Sequence, residues 1–327
     1  MELNENIKVG IIIPAYNVQD YIFRALDSCI LQTYGNIEVV VVDDGSSDDT
    51  LAVAKEYEKK DSRVRVFSQK NSGVSSARNH ALQLCTADLA LFLDSDDWLE
   101  TDAVESMLAH LPQEWRSSLV CCDAYYAYTD GETGIRKKIA DGIAAPKECS
   151  AQEMLLYTSK QEYKLRSACY KLFSMEVISD CGLKFNEDIR HGEDGLFVFE
   201  YLKRVRSAVY FPKPLWNILE RTNSATTAPY NKSWLSALTA VEVMMSYDNS
   251  PELQTELRKY LVGRATTVLC HALASGKGEK EDVLYLRKRL RSEFGFYVRA
   301  EKRMRNKLFL SVRDKDHRMS CDGACAV

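Results

Sequence analysis

The acidic tetrapeptide Asp94–Asp97 directly follows the apolar run Leu89–Leu93. A short apolar run bounded by polar residues is typical of a buried strand, so these carboxylates leave the C-terminal end of a strand together. Open α/β sheets bind ligands at that edge. Clustered carboxylates repel one another unless a cation or hydrogen-bond donors compensate them, and oxygen ligands suit Mg²⁺ or Mn²⁺. The pattern predicts a metal–diphosphate site; the alternative is an acidic turn in which Asp96 or Asp97 caps a helix near Thr101.

A second acidic pair, Asp43 and Asp44, follows the apolar run Ile37–Val42. A carboxylate at a strand end can accept hydrogen bonds from a nucleobase or a ribose, and the adjacent Gly45 would let the backbone approach a ligand closely. The alternative is a helix-capping turn over Ser46–Asp49.

A glycine, Gly73, and three serines lie at the start of a helix predicted over Ser75–Leu84, and Arg78 lies in its first turns. The planar guanidinium group of an arginine at this position could reach a base or a phosphate. The alternative is a solvent-exposed surface arginine.

In the second half of the chain, Glu193 and Asp194 precede an amphipathic helix predicted over Gly195–Lys203. A helix N-terminus favours negative charge, so these residues could be catalytic or could be ordinary first-turn acids. The five histidines show no metal-ligand spacing, and only His191 lies near this acid pair. We expect a structural or acceptor-contacting role for His191.

The elements that must position these residues alternate along the first hundred positions. Strands are predicted at Val9–Ile13, Ile37–Val42, Val64–Phe67 and Leu89–Leu93, and helices at Val18–Thr33, Ser47–Lys60 and Ser75–Leu84. This alternation predicts a mainly parallel sheet with right-handed crossovers. Since parallel strands buried on both faces are almost wholly apolar, the strand that contains Arg65 is predicted at an edge.

After Pro112 the pattern changes. Strands are predicted at Leu119–Tyr128 and Ser167–Phe173, a further helix at Ala151–Tyr157, and mainly helices from Trp234 onward. These segments complete an α/β fold with a helical C-terminal extension.

The polar motifs follow one another in a specific order: Pro14, Ala15, Tyr16 and Asn17, then Asp43–Ser46, then Gly73–Asn79, then Asp94–Asp97. This succession resembles the GT-A-fold family 2 glycosyltransferases, the inverting, nucleotide-sugar-dependent enzymes of bacterial polysaccharide synthesis. The resemblance is close over residues 7–112. It implies a GT-A fold, which is a Rossmann-like, mainly parallel mixed sheet flanked by helices.

The resemblance also implies roles for particular residues. Asp94 and Asp96 would bind Mn²⁺ or Mg²⁺, and Asp194 would be the catalytic base with Glu193 beside it. The residues implied in binding the donor nucleotide are Pro14, Ala15, Tyr16, Asn17, Asp43, Asp44, Gly73, Arg78, Asp94, Ser95, Lys171, Arg221 and Ser224. The last three rest on a looser match, because the family more often has a tyrosine and an arginine where this chain has Trp216 and Asn217.

The resemblance predicts an inverting transfer of a sugar from a nucleotide-diphosphate sugar, with UDP implied by the family alone, to a hydroxyl of a glycan or a lipid-linked saccharide. Two alternatives stay open. A nucleotidyltransferase can use a similar nucleotide-binding lobe and acidic metal site. A catalytically silent protein could bind sugar nucleotides within a glycan-assembly complex.

The length of 327 residues exceeds a typical single domain. We expect a nucleotide-sugar-binding half over residues 1–112, an acceptor-binding half with the catalytic base over 113–230, a basic helical region over 231–318 and a disordered tail over 319–327. The acidic N-terminus predicts no signal peptide, and no apolar stretch is as long as a transmembrane helix. The ten cysteines show no regular framework, which favours buried thiols in a reducing cytoplasm.

Charge is distributed unevenly along the chain, although the net charge is only −4. The segment from Tyr285 to Arg313 has ten lysines and arginines but only two acids, Glu293 and Glu301. A basic helix with an apolar face can lie on an anionic membrane, here the inner face of the cell membrane. The alternative is a core-packed helix with a solvated basic face. Nucleic-acid binding is not expected, because no recognised nucleic-acid module accompanies the charge.

Overall fold

A computed structural model describes residues 6–128, 136–138, 148–159, 166–220 and 229–300. Its first seven elements alternate as expected. They are β1 (Val9–Ala15), α1 (Ile22–Ile30), β2 (Ile37–Asp43), α2 (Thr50–Lys60), β3 (Val64–Ser68), α3 (Val74–Leu84) and β4 (Leu89–Phe92). Every residue of β1 and β2 is buried, as expected for parallel strands covered on both faces.

The remaining elements build the second half of the sheet and the C-terminal helices. They are β5 (Trp98–Leu99), α4 (Ala103–Leu108), β6 (Ser118–Tyr128), β7 (Arg136–Lys138), β8 (Glu148–Ser150), α5 (Ala151–Ser159), β9 (Lys171–Ser174), α6 (Met175–Asp180), α7 (Glu193–Leu202), β10 (Ser207–Glu220), α8 (Ser236–Tyr247), α9 (Pro251–Ala274) and α10 (Lys280–Ala300). Short 3₁₀ turns precede β6 at Trp115–Ser117 and α8 at Lys232–Leu235.

The strands form one mixed sheet in the order β3-β2-β1-β4-β9-β6-β10-β5. The first four strands are parallel, β9 runs antiparallel to both β4 and β6, and β10 is parallel to β6. The short strands β5 and β8 pair antiparallel with β10, and β7 pairs antiparallel with β6. The predicted mainly parallel sheet flanked by helices is confirmed, and β3 lies at its edge as predicted.

Several predicted boundaries differ from the structure, and two of the differences have a local reason. Helix α1 begins at Ile22 rather than Val18, because the Val18 amide donates to Thr50 Oγ1 and pins the preceding loop to the start of α2. The strand predicted from Ser167 begins only at Lys171, since Tyr170 adopts a φ of 50° and ends a turn. That turn contributes directly to the candidate site.

Strand β10 was not predicted, although it is the longest strand among the described residues. Its sequence contains Pro212 and Pro214, which cannot donate to a ladder and usually argue against a central strand. The structure accommodates them at an irregularity, where the register with β6 shifts between Tyr210 and Trp216. After this irregularity β10 resumes regular pairing as far as Glu220.

The C-terminal helices share one contiguous apolar core with the sheet. On α10, Leu286 and Leu290 are buried, whereas Leu284 and Tyr285 are exposed. Lys288 and Arg291 are exposed as well, so core packing and an exposed basic face occur on the same helix. Within the described residues, no helix combines the length and apolar character needed to span a bilayer.

The eight described cysteines are free thiols. Cys29, Cys121, Cys122, Cys149 and Cys169 are buried, Cys85 and Cys270 are half-buried, and Cys181 is exposed. The expectation of buried thiols is thus wrong for Cys181, which follows the short helix α6 at the surface. The predicted tail over 319–327 lies outside the described residues.

Candidate active site

Two loops at the C-terminal ends of β1 and β2 are joined by hydrogen bonds through Asn17. Its amide donates to Ser46 Oγ at 3.0 Å, and its Oδ1 accepts from the Ser47 amide at 2.9 Å. Asn17 has a φ of 51°. The preceding Pro14 and Ala15 are buried in β1, while the Tyr16 side chain is exposed at the edge of the sheet. The loops are therefore held together, and Tyr16 presents an aromatic side chain to solvent.

Asp43 and Asp44 are both buried, and both organise loops. The carboxylate of Asp43 accepts from the Ser46 amide at 3.3 Å and from Ser68 Oγ at 3.2 Å. The carboxylate of Asp44 accepts from the amides of Ser72 and Gly73 at 2.8 and 2.7 Å. Asp44 thus fixes the loop before α3. The N-cap residue of α2, Asp49, makes no side-chain capping bond, but the preceding Asp48 accepts from the Thr50 amide at 3.0 Å, so the turn alternative holds in part.

Gly73 lies beneath the guanidinium group of Arg190. Its φ is +98°, and a Cβ at this position would lie 1.7 Å from Arg190 Nη1. The same nitrogen donates to the Ser72 carbonyl at 3.2 Å. The positive φ favours glycine here, and a larger residue would also have to displace the guanidinium group of Arg190.

Arg78 lies at the centre of a carboxylate cluster, so the surface-arginine alternative is wrong. Its Nη1 donates to Asp194 Oδ1 at 2.6 Å and to Glu193 Oε1 at 3.4 Å, and its Nη2 donates to Asp94 Oδ1 at 2.8 Å. The side chain is only 3 % exposed, and its guanidinium carbon lies 5.1 Å from the centre of the Phe185 ring. Burial disfavours its charge, but the three carboxylates outweigh that effect and raise the pKa of Arg78.

The acid pair begins α7 and is held at a fixed position. The helix starts at Glu193, two residues before the predicted start. Asp194 Oδ2 accepts from Ser167 Oγ and from the Ala168 amide, each at 3.2 Å, while its Oδ1 faces Arg78. Burial, and then the charge of Asp194, raise the pKa of Glu193 to about 7. The two neighbouring acids therefore differ: Asp194 accepts hydrogen bonds at both carboxylate oxygens, whereas burial favours the neutral form of Glu193.

The tetrapeptide after β4 divides into two parts. Asp97 is buried, and its Oδ1 accepts from the Leu219 amide of β10 at 2.9 Å. Because α4 begins only at Ala103, after Asp102, the helix-capping alternative for Asp96 and Asp97 is wrong. Ser95 is buried. Asp94 and Asp96 are half-buried, and the side chain of Asp94 remains 40 % exposed beside Arg78.

The two carboxylates of Asp94 and Asp96 suit a divalent ion that prefers oxygen ligands. Across the described part of the chain, no group of three or more histidines, cysteines or acids is arranged to hold an ion. Two partly exposed carboxylates suit Mg²⁺ or Mn²⁺, which take their other ligands from water and from phosphate oxygens. The same pair would be too few ligands for a structural zinc site.

Lys171 lies beneath the cluster rather than in an open cleft. It is fully buried on β9, and its Nζ donates to the Ser167 carbonyl at 2.7 Å. Burial lowers its pKa. Since the hydroxyl of Ser167 donates to Asp194, Lys171 supports the turn that holds the acid. Two other predicted donor residues, Arg221 and Ser224, lie outside the described residues.

The positions flagged for the looser family match both lie on β10. Trp216 is fully buried, and Asn217 donates to Glu100 Oε1 at 2.9 Å. Sequence reasoning did not identify Ser167, Ala168 or Arg190. Two of these act through backbone atoms or a small hydroxyl, which leave no pattern in a single sequence, and Arg190 was detectable only by its position next to His191.

Comparison with known proteins decides the family. Residues 10–182 match the model of glycosyl transferase family 2. The chain belongs to this family. It is 31% identical over 241 residues to the glycosyltransferase GlyA of Streptococcus pneumoniae, covering 71% of this chain and 33% of GlyA. It is 31% identical over 260 residues to EpsH of Bacillus subtilis, covering 79% of this family 2 chain and 74% of EpsH.

A solved structure shows the same fold. The crystal structure of S. aureus TarS 1–349 in complex with UDP-GlcNAc superposes with a TM-score of 0.65 at 21% identity, covering 87% of this chain and 80% of that one. This likeness confirms the GT-A fold of the family 2 chain. The chain spans only about a third of the length of GlyA, so that relative contains a large additional portion.

Proposed function

We propose that this family 2 protein transfers a sugar, with inversion, from a UDP-sugar to a hydroxyl group of a glycan or a lipid-linked saccharide. One observation carries the proposal. Arg78 joins Asp94, which follows β4, to Asp194, which begins α7, in a single cluster. The residues proposed to hold the leaving group and to act as the base are thereby linked at the C-terminal end of the parallel strands, where α/β sheets bind ligands.

Asp194 would act as the general base. The acceptor hydroxyl transfers its proton to the Asp194 carboxylate while its oxygen attacks the anomeric carbon from the face opposite the nucleotide. The bond to the diphosphate oxygen breaks as the new glycosidic bond forms, which inverts the configuration. Arg78, Ser167 and Ala168 together hold both carboxylate oxygens in a fixed orientation. A positioned base of this kind typically contributes about 10²–10⁴-fold to the rate.

Asp94 and Asp96 would hold Mn²⁺ or Mg²⁺, and the bound ion would neutralise charge on the departing diphosphate. Arg78 keeps Asp94 oriented, and Asp97 ties the same turn to β10. The chain itself therefore holds the Asp94 carboxylate and the turn that carries Asp96.

The donor nucleotide would bind the loops after β1, β2 and β3. Asp43 and the exposed Tyr16 are the side chains proposed to contact the nucleoside, while Asp44 shapes the loop at Gly73. UDP is supported by the TarS complex, whose fold this chain shares. Pro14 and Ala15 would contribute through their backbone, because their side chains are buried.

The protein would work in the cytoplasm, in peripheral contact with the cell membrane. The exposed face of α10 combines Leu284 and Tyr285 with Lys288 and Arg291. Basic side chains interspersed with exposed apolar ones suit an anionic lipid surface. Such a contact would bring the site close to a lipid-linked acceptor.

A donor screen tests the proposal. The protein is incubated with individual UDP-sugars and Mn²⁺, with and without lipid-linked saccharide acceptors, and the release of UDP is measured. We expect release with one donor to rise when an acceptor is added. Consumption of a nucleoside triphosphate with release of pyrophosphate would instead identify a nucleotidyltransferase. Donor binding without product from any donor would identify a silent binding protein.

A further inference from the structure

We propose that the C-terminal helical region positions the catalytic base through Ser236, an inference that rests on the proposed function. Ser236 is the first residue of α8. Its Oγ accepts from the amides of Arg190 and His191, each at 3.1 Å, and donates to the Ser233 carbonyl at 2.7 Å. A serine hydroxyl has one donor and two acceptor positions, so these bonds use its full capacity.

The segment held by Ser236 leads directly into the acid pair. Arg190 and His191 are followed by Gly192, and α7 begins at Glu193. The position of this segment therefore sets where the first turn of α7 starts. Helix α8 is therefore connected to this segment through one side-chain hydroxyl that accepts from two successive backbone amides.

Aromatic packing reinforces the same connection. The His191 ring stacks on Trp234 with centroids 4.3 Å apart, and Trp234 stacks on His271 of α9 at 4.5 Å. Trp234 is buried between the two rings. The segment before the base is thus held directly by α8 and the turn that precedes it, and α9 supports that turn because His271 packs against Trp234.

Arg190 extends this connection to the donor side. Its amide binds Ser236, while its guanidinium group donates to the Ser72 carbonyl at 3.2 Å. The Ser72 amide in turn donates to Asp44 at 2.8 Å. One continuous set of contacts therefore runs from α8 past the base to the predicted donor loop.

Loss of the Ser236 hydroxyl should misplace the base without unfolding the protein. Displacement of a catalytic group by about 1 Å can cost about 10²-fold in rate. Because Arg78, Ser167 and Ala168 still hold Asp194, we expect a smaller loss, of about tenfold in kcat. The Kd for the UDP-sugar should change by less than about twofold, because the Ser72 and Gly73 amides still donate to Asp44 when the Ser236 hydroxyl is removed.

The test compares Ser236→Ala with Ser246→Ala. Ser246 lies on the same helix and also donates to a carbonyl three residues earlier, but it is exposed. Donor affinity is measured by calorimetry, kcat by UDP release in the presence of acceptor, and amide hydrogen exchange by mass spectrometry over the peptide containing Arg190 and His191. We expect faster exchange and lower kcat in Ser236→Ala only.

The outcomes separate the two hypotheses. Equal exchange in the two variants overturns the connection itself, whatever the activity. Faster exchange with an unchanged kcat overturns the positioning role while leaving the proposed function intact. Absence of turnover by the wild-type protein with every donor counts against the proposed function, and exchange still tests the connection.

Discussion

Arg78 sets the charge balance of the candidate site. One guanidinium group contacts the carboxylates of Asp94, Glu193 and Asp194. The cluster therefore has a net negative charge unless one acid binds a proton or a cation binds nearby. Glu193 is the acid most protected from solvent, with a side chain only 13 % exposed. A protonated Glu193 would leave Asp194 as the ionised base beside Arg78.

Glu193 should make stability depend on pH. The pKa of Glu193 is raised from about 4.5 in the unfolded chain to about 7 in the folded protein. Its contribution to the free energy of unfolding is therefore fully present below about pH 4.5 and is lost as the pH rises through about 7. Glu193→Gln keeps the neutral form at every pH. We expect the variant to gain on the order of 2 kcal/mol over wild type between about pH 5 and about pH 8. Urea unfolding of both proteins across this pH range measures the difference in the free energy of unfolding. If that difference does not change with pH, the raised pKa of Glu193 is contradicted.

The residue types of the site could be predicted, but most of their partners could not. Asp94 was predicted as a candidate site residue from its position after a strand, and Asp194 from its position before a helix. Arg78, in contrast, binds Asp194 across 116 positions of sequence, and Asp97 binds Leu219 across 122. No local pattern encodes such long-range contacts, so the placement of Arg78 between the two acids became visible only in the folded chain.

At the level of elements, strand β1 depends on a glycine to admit the end of α3. A Cβ on Gly10 would lie 2.3 Å from Cys85 Sγ and 3.3 Å from Ala87 Cβ, because the segment after α3 crosses this strand closely. Cys85 cannot move freely, since its thiol donates to the buried Glu38. Strand β1 and the segment after α3 therefore pack so closely that a larger residue at position 10 would force Cys85 to shift.

Gly10→Ala should lower the free energy of unfolding by about 1–3 kcal/mol, as is typical of overpacked cores. Gly35→Ala is the matched control, because a Cβ there meets nothing within 4 Å. That control should be neutral or slightly stabilising, since alanine reduces the entropy of the unfolded chain. Urea unfolding of both variants provides the comparison. An equal effect at the two positions would show that the close approach has no energetic consequence.

The first half of the fold could be predicted because its pattern is simple. Parallel strands covered on both faces give continuous apolar runs, and β1, β2 and β4 follow that pattern. The second half departs from it. β10 contains two prolines, and the turn before β9 places Tyr170 at positive φ, so local propensity pointed away from the observed structure.

For the whole molecule, the C-terminal helices pack into the same apolar core as the sheet. We proposed a donor half over residues 1–112, an acceptor half over 113–230 and a helical region from 231. These are therefore proposed functional regions that share one apolar core, not separate structural domains. The exposed face of α10 remains available at the end of that body, with Leu284 and Tyr285 at its surface.

Binding to membranes should depend on this face and on lipid charge. We expect the protein to sediment with vesicles that contain phosphatidylglycerol but not with phosphatidylcholine alone, and about 0.15 M salt should weaken the binding. Lys288→Glu combined with Arg291→Glu should reduce binding by at least about 30-fold, because each basic charge near the surface is worth about 1 kcal/mol. Unchanged sedimentation of the double variant would contradict the proposed membrane contact.

The role of Asp194 is the central claim, and one comparison tests it most directly. Asp194→Asn retains the size of the side chain but removes its basicity, and Asp188→Asn changes an exposed acid of the same region as a control. UDP release is measured with the donor and acceptor found in the screen, and donor affinity by calorimetry. We predict that Asp194→Asn loses about 10²–10⁴-fold in kcat while its Kd for the donor stays within about threefold of wild type. Near-wild-type transfer by Asp194→Asn would contradict the account.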